Sequence, residues 1–218
     1  MCVILGKMSK QKKPSERLLR ACWASNPHGG GIMWRKTKSS HIEVYKGLLK
    51  VSEFLKVAEA VPDNAEAWYH TRIVSRGAVC QAQCHPFILP GGSWYMHNGT
   101  FSIEPWDGMS DTQTVSEYLL KNPQEDMCDV IRGLCRESYS KAVIMTPNQA
   151  TKLYGQWSEY EGYKVSNLYF TTSLIRERVK TWAKAQTLCD SCAEFGNDCY
   201  GELLGNRNDC PFYMDNEI

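Results

Sequence analysis

The sequence lacks several features that mark common functional classes. No apolar run among its 218 residues approaches the length of a membrane span. The chain turns polar directly after the short apolar segment 2–5, too early for a secretory signal. Its 25 basic and 24 acidic residues nearly cancel, so no charge excess favours nucleic acid or an anionic membrane. We therefore expect a cytoplasmic protein with neither a nucleic-acid nor a membrane partner.

Two further absences narrow the possible activities. The sequence contains no glycine-rich phosphate loop of the Walker type, and hence no recognisable nucleotide-binding or synthase module. It also contains neither an internal repeat nor a low-complexity linker. Apolar residues make up 43% of the chain, which is enough for a packed core rather than a disordered segment. One domain with a small appendage is the expected organisation.

Strand-like segments surround two central helical segments. A short apolar strand at residues 2–6 precedes a helix that ends near residue 24. Helical periodicity returns from Thr112 or Thr114 onward and again at residues 124–137, and strand patterns then continue to a last candidate at residues 168–171. This order predicts an α+β domain with antiparallel sheets.

Cys2 has the chemistry of an N-terminal nucleophile. A methionine before a small residue is a good substrate for methionine aminopeptidase, so loss of Met1 would expose Cys2. An α-amine titrates at about 7.7–8.0 and a thiol at about 8.5, so one residue would supply both base and nucleophile. The alternative is that Cys2 is a small buried residue of a strand.

Three polar segments follow or precede predicted elements and could form a binding site. Arg72 ends a His-Thr-Arg segment, and its guanidinium matches a carboxylate, although an isolated arginine usually forms a surface salt bridge. Asn98 and Gly99 offer an amide and a flexible backbone N–H that suit an oxyanion, although Asn-Gly is also a common hairpin turn. Asp111 stands before a helix, where N-capping is the simpler explanation.

In this order and spacing, the segments together resemble the class II glutamine amidotransferases. The resemblance covers about residues 2–172 and includes a first Cys, a late Ser-Asn pair and several short motifs between them. These segments are Cys2, Asn26-Pro27-His28-Gly29-Gly30-Gly31, His70-Thr71-Arg72, Gln83-Cys84-His85-Pro86, His97-Asn98-Gly99, Asp111 and Ser166-Asn167. The chain departs from the family pattern at three positions. Ile73 stands in place of an aromatic residue, Cys84 in place of a small one, and His28 in place of an acidic one.

The resemblance implies a fold, a reaction and a set of site residues. It implies a glutaminase domain over residues 2–185, folded as the four-layer αββα sandwich of N-terminal nucleophile hydrolases, with a Cys-rich tail over residues 186–218. The enzyme would release ammonia from L-glutamine through a glutamyl thioester on Cys2, with no cofactor. The implied roles are oxyanion binding by Asn98 and Gly99, and substrate binding by Arg72, Asp111, His97 and His70.

The destination of the ammonia leaves alternatives open. Because the chain shows no synthase module, the preferred expectation is a separate synthetase that accepts the ammonia. One alternative is a stand-alone hydrolase of a γ-glutamyl compound. A further alternative is a catalytically inactive module that keeps the fold in order to bind a ligand or partner.

The tail carries four cysteines whose spacing is compatible with a structural zinc site. These residues are Cys189, Cys192, Cys199 and Cys210. The first two form a normal zinc-binding pair, but the second half lacks a close pair. Free thiols packed against the domain, or redox-labile disulfides, are therefore a slightly better explanation.

Overall fold

The structure is a computed structural model and describes residues 1–36, 41–75 and 77–177. The chain divides into two compact units, residues 1–170 and residues 171–218. In the second unit, residues 171–177 are helical. The predicted domain boundary at residue 185 and the predicted tail both lie outside the described residues.

The first unit contains both strands and helices, including two short strands, residues 87–89 and 158–160, that the sequence did not predict. Its strands are β1 (Val3–Lys7), β2 (Gly30–Lys36), β3 (Glu43–Leu48), β4 (Ala65–Thr71), β5 (Phe87–Leu89), β6 (Ser93–Asn98), β7 (Lys141–Met145), β8 (Lys152–Tyr154), β9 (Ser158–Tyr160) and β10 (Tyr163–Val165). Its helices are α1 (Glu16–Ser25), α2 (Val51–Ala60), α3 (Asp111–Lys121) and α4 (Met127–Glu137). In the part of the chain that the structure describes, no helix is long and apolar enough to cross a membrane.

The strands form two antiparallel sheets. The first has six strands in the order β3-β2-β4-β1-β10-β9, and the second has four in the order β5-β6-β7-β8. Every pairing in both sheets is antiparallel. The predicted mixture of helices with antiparallel sheets is therefore confirmed.

Two apolar cores among the described residues connect the two sheets and the helices α3 and α4. The first core joins the two sheets, and its buried members are Ile4, Met33, Ile42, Trp68, Met96, Val143 and Met145. The second core joins the four-stranded sheet to α3 and α4, and includes Ala142, Ile144, Val115 and Ile131. Successive residues of β7 thus enter opposite cores, as the two-residue period of a strand requires. Burying a Val, Leu, Ile, Phe or Met side chain stabilises a fold by about 1.5–3 kcal/mol, so each of these cores makes a large contribution to stability.

Three predicted boundaries are wrong for local reasons. Helix α4 begins at Met127 rather than at residue 124, because the Asp126 side chain caps it. Helix α3 begins before Thr112, because the Ser110 hydroxyl accepts a hydrogen bond from the Gln113 N–H and caps the helix. Residues 168–171 do not form a strand. The Asn167 side chain accepts a hydrogen bond from the Tyr169 N–H at 3.0 Å, which turns the chain instead of extending it.

Candidate functional site

The strand register brings Cys2 and Arg72 to the same edge of the six-stranded sheet. Strands β1 and β4 are antiparallel neighbours, with Val3 opposite Thr71 and Ile4 opposite His70. Cys2 comes directly before β1 and Arg72 directly after β4, so the two residues leave the sheet side by side. Residues that are far apart in the sequence therefore meet because of the register alone.

Most of the predicted site residues line one small pocket at this edge. The lining is formed by Cys2, Arg72, Ile73, Ser75, His85, His97, Gly99, Ser110, Asp111 and Thr112. Two predicted site residues, His70 and Asn98, are buried but are not part of the lining. The pocket has a volume of about 20 Å³, enough for about one water molecule. This volume is smaller than a ligand of amino-acid size.

The Cys2 thiol is held among backbone groups at the pocket wall. Its sulfur lies 3.6 Å from the Ile73 carbonyl, and the Asn167 side chain donates a hydrogen bond to the Cys2 carbonyl at 2.6 Å. Burial raises the pKa of the thiol above its ordinary value, although the chain terminus and Arg72 oppose this effect with their positive charges. The thiol is thus protonated at neutral pH and needs a base before it can act as a nucleophile.

The Arg72 guanidinium is a fixed buried charge. The residue is 3% exposed. Its Nη1 donates to the Ala78 carbonyl at 2.6 Å, and its Nη2 donates to the Gln83 side-chain oxygen at 3.1 Å. The Arg72 N–H also donates to the Gly29 carbonyl at 2.7 Å. Arg72 is therefore a buried residue rather than a surface one, and it presents a positive charge to the pocket.

Asn98 and Gly99 do not form a tight hairpin. Asn98 ends β6, but its antiparallel neighbour β7 begins only at Lys141. Gly99 has φ +142°, and a Cβ there would lie 2.1 Å from the Ser140 hydroxyl oxygen, so only glycine fits. The Asn-Gly pair is therefore not a hairpin turn, and Gly99 is required because a larger residue would not fit beside Ser140 at the pocket wall.

The Asn98 amide is connected to the strand that follows Cys2. Its Nδ2 donates to the Ser166 hydroxyl at 2.8 Å, and the same hydroxyl accepts a hydrogen bond from the Ile4 N–H at 2.8 Å. An amide nitrogen carries two N–H groups, so this bond uses one of them. Ser166 and Asn167 thus bond to Ile4 and to the Cys2 carbonyl respectively, a role that the sequence motif did not reveal.

Asp111 is a buried carboxylate whose position is not explained by capping. Ser110 provides the cap of α3, and Asp111 is the first residue of the helix. The Asp111 Oδ2 accepts a hydrogen bond from the Phe101 N–H at 2.7 Å, and the residue is 6% exposed. The positive end of the helix dipole favours a negative charge here. The pocket therefore contains one fixed negative charge in addition to the positive charge of Arg72.

Three buried histidines lie close together at the site, where His85 and His97 line the pocket and His70 does not. The His70 and His85 ring centroids lie 3.9 Å apart with the rings tilted by 30°, and the His97 ring stacks on Phe101 at 3.7 Å. His70 Nε2 donates to the His97 carbonyl at 3.3 Å, and His97 Nδ1 pairs with the Thr112 hydroxyl at 3.0 Å. Burial lowers the pKa of His70 and of His97 to about 3. Both rings are therefore neutral at physiological pH.

His85 is a pocket residue to which sequence reasoning assigned no role. The residue is 4% exposed, and burial lowers its pKa well below the ordinary value. Neither of its ring nitrogens has a hydrogen-bond partner in the described structure. A Cβ at Gly31 would lie 1.9 Å from the His85 carbonyl oxygen, so the glycine-rich turn makes room for this segment. His85 therefore presents a neutral donor and acceptor to the site.

The buried histidines predict a loss of stability in mild acid. Their pKa values in the folded protein lie below the ordinary value of 6.5, so unfolding takes up protons between about pH 6.5 and pH 3. Stability should be complete above pH 6.5 and fall as the pH decreases, by up to about 1.4 kcal/mol per pH unit for each histidine. Urea unfolding at pH 7 and pH 5 measures this change.

The matched variant for this measurement is His85→Leu. Leucine has a volume similar to that of histidine but does not titrate, so this variant should reduce the slope of unfolding free energy against pH. An unfolding free energy that is the same at pH 7 and pH 5 in the unmodified protein would contradict the expectation.

Metal binding is not supported by the described part of the chain. In residues 1–36, 41–75 and 77–177, no group of three or more histidine, cysteine or acidic side chains could hold a metal ion. The described cysteines are all free thiols, namely Cys2, Cys22, Cys80, Cys84, Cys128 and Cys135. The predicted zinc ligands, Cys189, Cys192, Cys199 and Cys210, lie outside the described residues, so the zinc site stays a prediction.

Comparison with solved structures finds a similar fold in an amidotransferase. No protein-family model and no curated protein sequence matches the chain. The structure is similar to glutamine phosphoribosylpyrophosphate amidotransferase from B. subtilis complexed with ADP and GMP, with a TM-score of 0.50 and 14% sequence identity. The match covers 76% of this chain but only 41% of that chain, so this chain spans less than half of that enzyme. At this identity the likeness shows a shared fold, the mixed α/β fold with antiparallel sheets of a glutamine amidotransferase.

Proposed function

We propose that the protein hydrolyses the side-chain amide of L-glutamine, with Cys2 as the nucleophile. The observation that carries this proposal is the pocket itself, which combines a thiol with a buried guanidinium and a buried carboxylate. A free amino acid carries one α-carboxylate and one α-ammonium group. Arg72 and Asp111 match these two charges, whereas a simple amide would use neither.

The reaction proceeds through a covalent thioester. The Cys2 thiolate attacks the side-chain carbonyl carbon of glutamine, and the carbonyl oxygen becomes an oxyanion. The Gly99 N–H and the second N–H of the Asn98 amide stabilise this charge. The C–N bond then breaks, ammonia leaves after accepting a proton, and water hydrolyses the glutamyl thioester to glutamate.

The base for this reaction is the α-amine of Cys2 after removal of Met1. Because burial raises the pKa of the thiol, the thiol alone is a weak nucleophile at neutral pH. With Met1 in place, the nitrogen of Cys2 is part of a peptide bond and cannot accept a proton. Processing therefore converts an inert buried thiol into a nucleophile that carries its own base.

The same proposal includes a specific architecture, an acceptor for the ammonia and a reaction without a cofactor. The two sheets and their helices are assigned to the four-layer αββα sandwich of N-terminal nucleophile hydrolases. The proposal includes a separate synthetase protein that accepts the ammonia. No cofactor takes part in the glutaminase step.

A second candidate is hydrolysis of a γ-glutamyl compound. Arg72 and Asp111 would recognise the α-carboxylate and α-ammonium groups, which every γ-glutamyl amide shares with glutamine. Neither residue selects the leaving group, so these two contacts fit both substrate classes.

A substrate comparison tests the proposal and separates the two candidates. Glutamate release is measured with L-glutamine, D-glutamine, L-asparagine and a γ-glutamyl dipeptide. The proposal expects L-glutamine to have the highest kcat/KM and D-glutamine and L-asparagine to be poor substrates. A higher kcat/KM for the dipeptide favours the second candidate, and no glutamate from either compound contradicts both.

Loss of either charged residue should mainly raise the KM for glutamine. Arg72→Ala removes the partner of the α-carboxylate, and Asp111→Asn removes the negative charge while keeping an acceptor for the Phe101 N–H. Since each contact is made throughout the reaction, we expect KM to rise about ten- to hundredfold, with a smaller change in kcat. Steady-state kinetics check this result.

The control for these variants is Arg20→Ala, which removes an arginine of the exposed Glu16–Arg20 ion pair. It should leave both kinetic constants unchanged. If Arg72→Ala and Asp111→Asn lower kcat without raising KM, the assignment of the two residues to substrate binding is incorrect.

A further inference from the structure

Gln83 is a buried side chain that joins three segments around the pocket. It lies in the short 3-10 turn Gln81–Gln83 and is 3% exposed. Its Oε1 accepts hydrogen bonds from Arg72 Nη2 at 3.1 Å and from the Ala78 N–H at 2.8 Å. Its Nε2 donates to the Gly108 carbonyl at 2.8 Å. One amide thus uses both its acceptor and its donor in bonds to other parts of the chain.

These contacts link the two charges of the proposed substrate site. Arg72 follows β4, whereas Gly108 belongs to the segment that leads into Ser110 and Asp111. Through Gln83, the guanidinium and the segment before the carboxylate are held by the same side chain. The Ala78 carbonyl, which accepts from Arg72 Nη1 at 2.6 Å, belongs to the same hydrogen-bond network.

The chemistry of this position requires a neutral amide. A leucine of similar size has neither acceptor nor donor, so it would leave buried polar groups of the network unpaired, at a cost of about 1–3 kcal/mol each. A glutamate keeps the acceptor for Arg72 but cannot donate to the Gly108 carbonyl. Only glutamine satisfies both neighbours at this length of side chain.

We propose that Gln83 is a positioning residue that sets the separation between Arg72 and Asp111 and so tunes recognition of a free α-amino acid. This inference rests on the proposed function, because it concerns the two charged contacts of that substrate. Gln83 itself does not line the pocket, so it acts through Arg72 and through the 108–111 segment.

The test compares two electrophiles that react with Cys2 in protein whose Met1 has been removed. Diazo-oxo-norleucine carries the α-carboxylate and α-ammonium of glutamine, whereas iodoacetamide carries neither. In Gln83→Leu, we expect labelling of Cys2 by the first reagent to slow about ten- to hundredfold, since misplacement of a binding group by about 1 Å costs this much. Labelling of Cys2 by iodoacetamide should stay within about twofold, as peptide mass analysis would show.

Two further variants make the result specific. Gln81→Leu is the same substitution two residues earlier at an exposed position, and it should leave both labelling rates unchanged. Gln83→Glu keeps the shape and the acceptor, and its rate with diazo-oxo-norleucine should fall between those of the unmodified protein and Gln83→Leu.

Each possible outcome has a defined meaning. Equal slowing by both reagents in Gln83→Leu shows a general structural role and overturns the inference, as do unchanged rates with both. If the unmodified protein is not labelled at Cys2 by diazo-oxo-norleucine, the proposed function fails and the inference fails with it. Labelling of the unmodified protein together with an unaffected Gln83→Leu variant overturns the inference alone.

Discussion

Cys2→Ala should abolish glutamate release from L-glutamine, with a loss of kcat on the order of 10⁴–10⁶-fold, as when other covalent nucleophiles are removed. The thiol is the only atom of residue 2 that can form the thioester, and alanine removes it without adding volume. Cys2 leaves β1 beside Arg72 at the pocket wall, so no other residue can replace it from the same place. Measurement of glutamate over hours at high enzyme concentration determines the residual rate of the Cys2→Ala variant.

The matched control is Cys80→Ala. Cys80 is another partly exposed free thiol, but it is not part of the pocket lining. We expect Cys80→Ala to keep the activity of the unmodified protein. Full activity of Cys2→Ala would show that glutamate release uses a different nucleophile.

Asn98→Ala should lower kcat by about 10²- to 10³-fold with little change in KM, because an oxyanion donor acts mainly in the transition state. The Asn98 side chain is 1% exposed, and its Nδ2 already donates one N–H to Ser166. This bond uses one of the two N–H groups of the amide, and in the proposed mechanism the second N–H binds the oxyanion. Steady-state kinetics with L-glutamine test the expectation.

Ser166→Ala separates orientation from oxyanion binding. This variant removes the hydroxyl that fixes the Asn98 amide but keeps the amide itself, so kcat should fall less than in Asn98→Ala. Thermal unfolding of both variants shows whether either loss follows from a weakened fold. An unchanged kcat in a folded Asn98→Ala protein would remove Asn98 from the mechanism.

The sequence indicates candidate site residues where a polar motif lies at the end of a strand. Cys2 precedes an apolar strand and Arg72 follows another, and the antiparallel register then brings them together. The same holds for Gly99, which follows β6 and lines the pocket. In each case the position of the motif at a strand end can be read from the local sequence, and the folded chain keeps it there.

The contacts that support these residues could not be predicted, because they join distant positions. The Asn98–Ser166 and Arg72–Gln83 hydrogen bonds depend on loops whose paths no short-range pattern describes. His85 was visible within a motif, but its unpaired ring nitrogens follow only from burial beside His70. The short strands β5 and β9, three residues each, are likewise defined by pairing with neighbours rather than by periodicity.

The most direct test of the central claim measures intact mass and glutamate release on the same samples. One sample begins at Cys2, and the other retains Met1. The account predicts that only the sample whose mass corresponds to loss of Met1 releases glutamate from L-glutamine. Equal activity of the protein that retains Met1 would contradict it, because the nitrogen of Cys2 would then be part of a peptide bond and could not serve as the base.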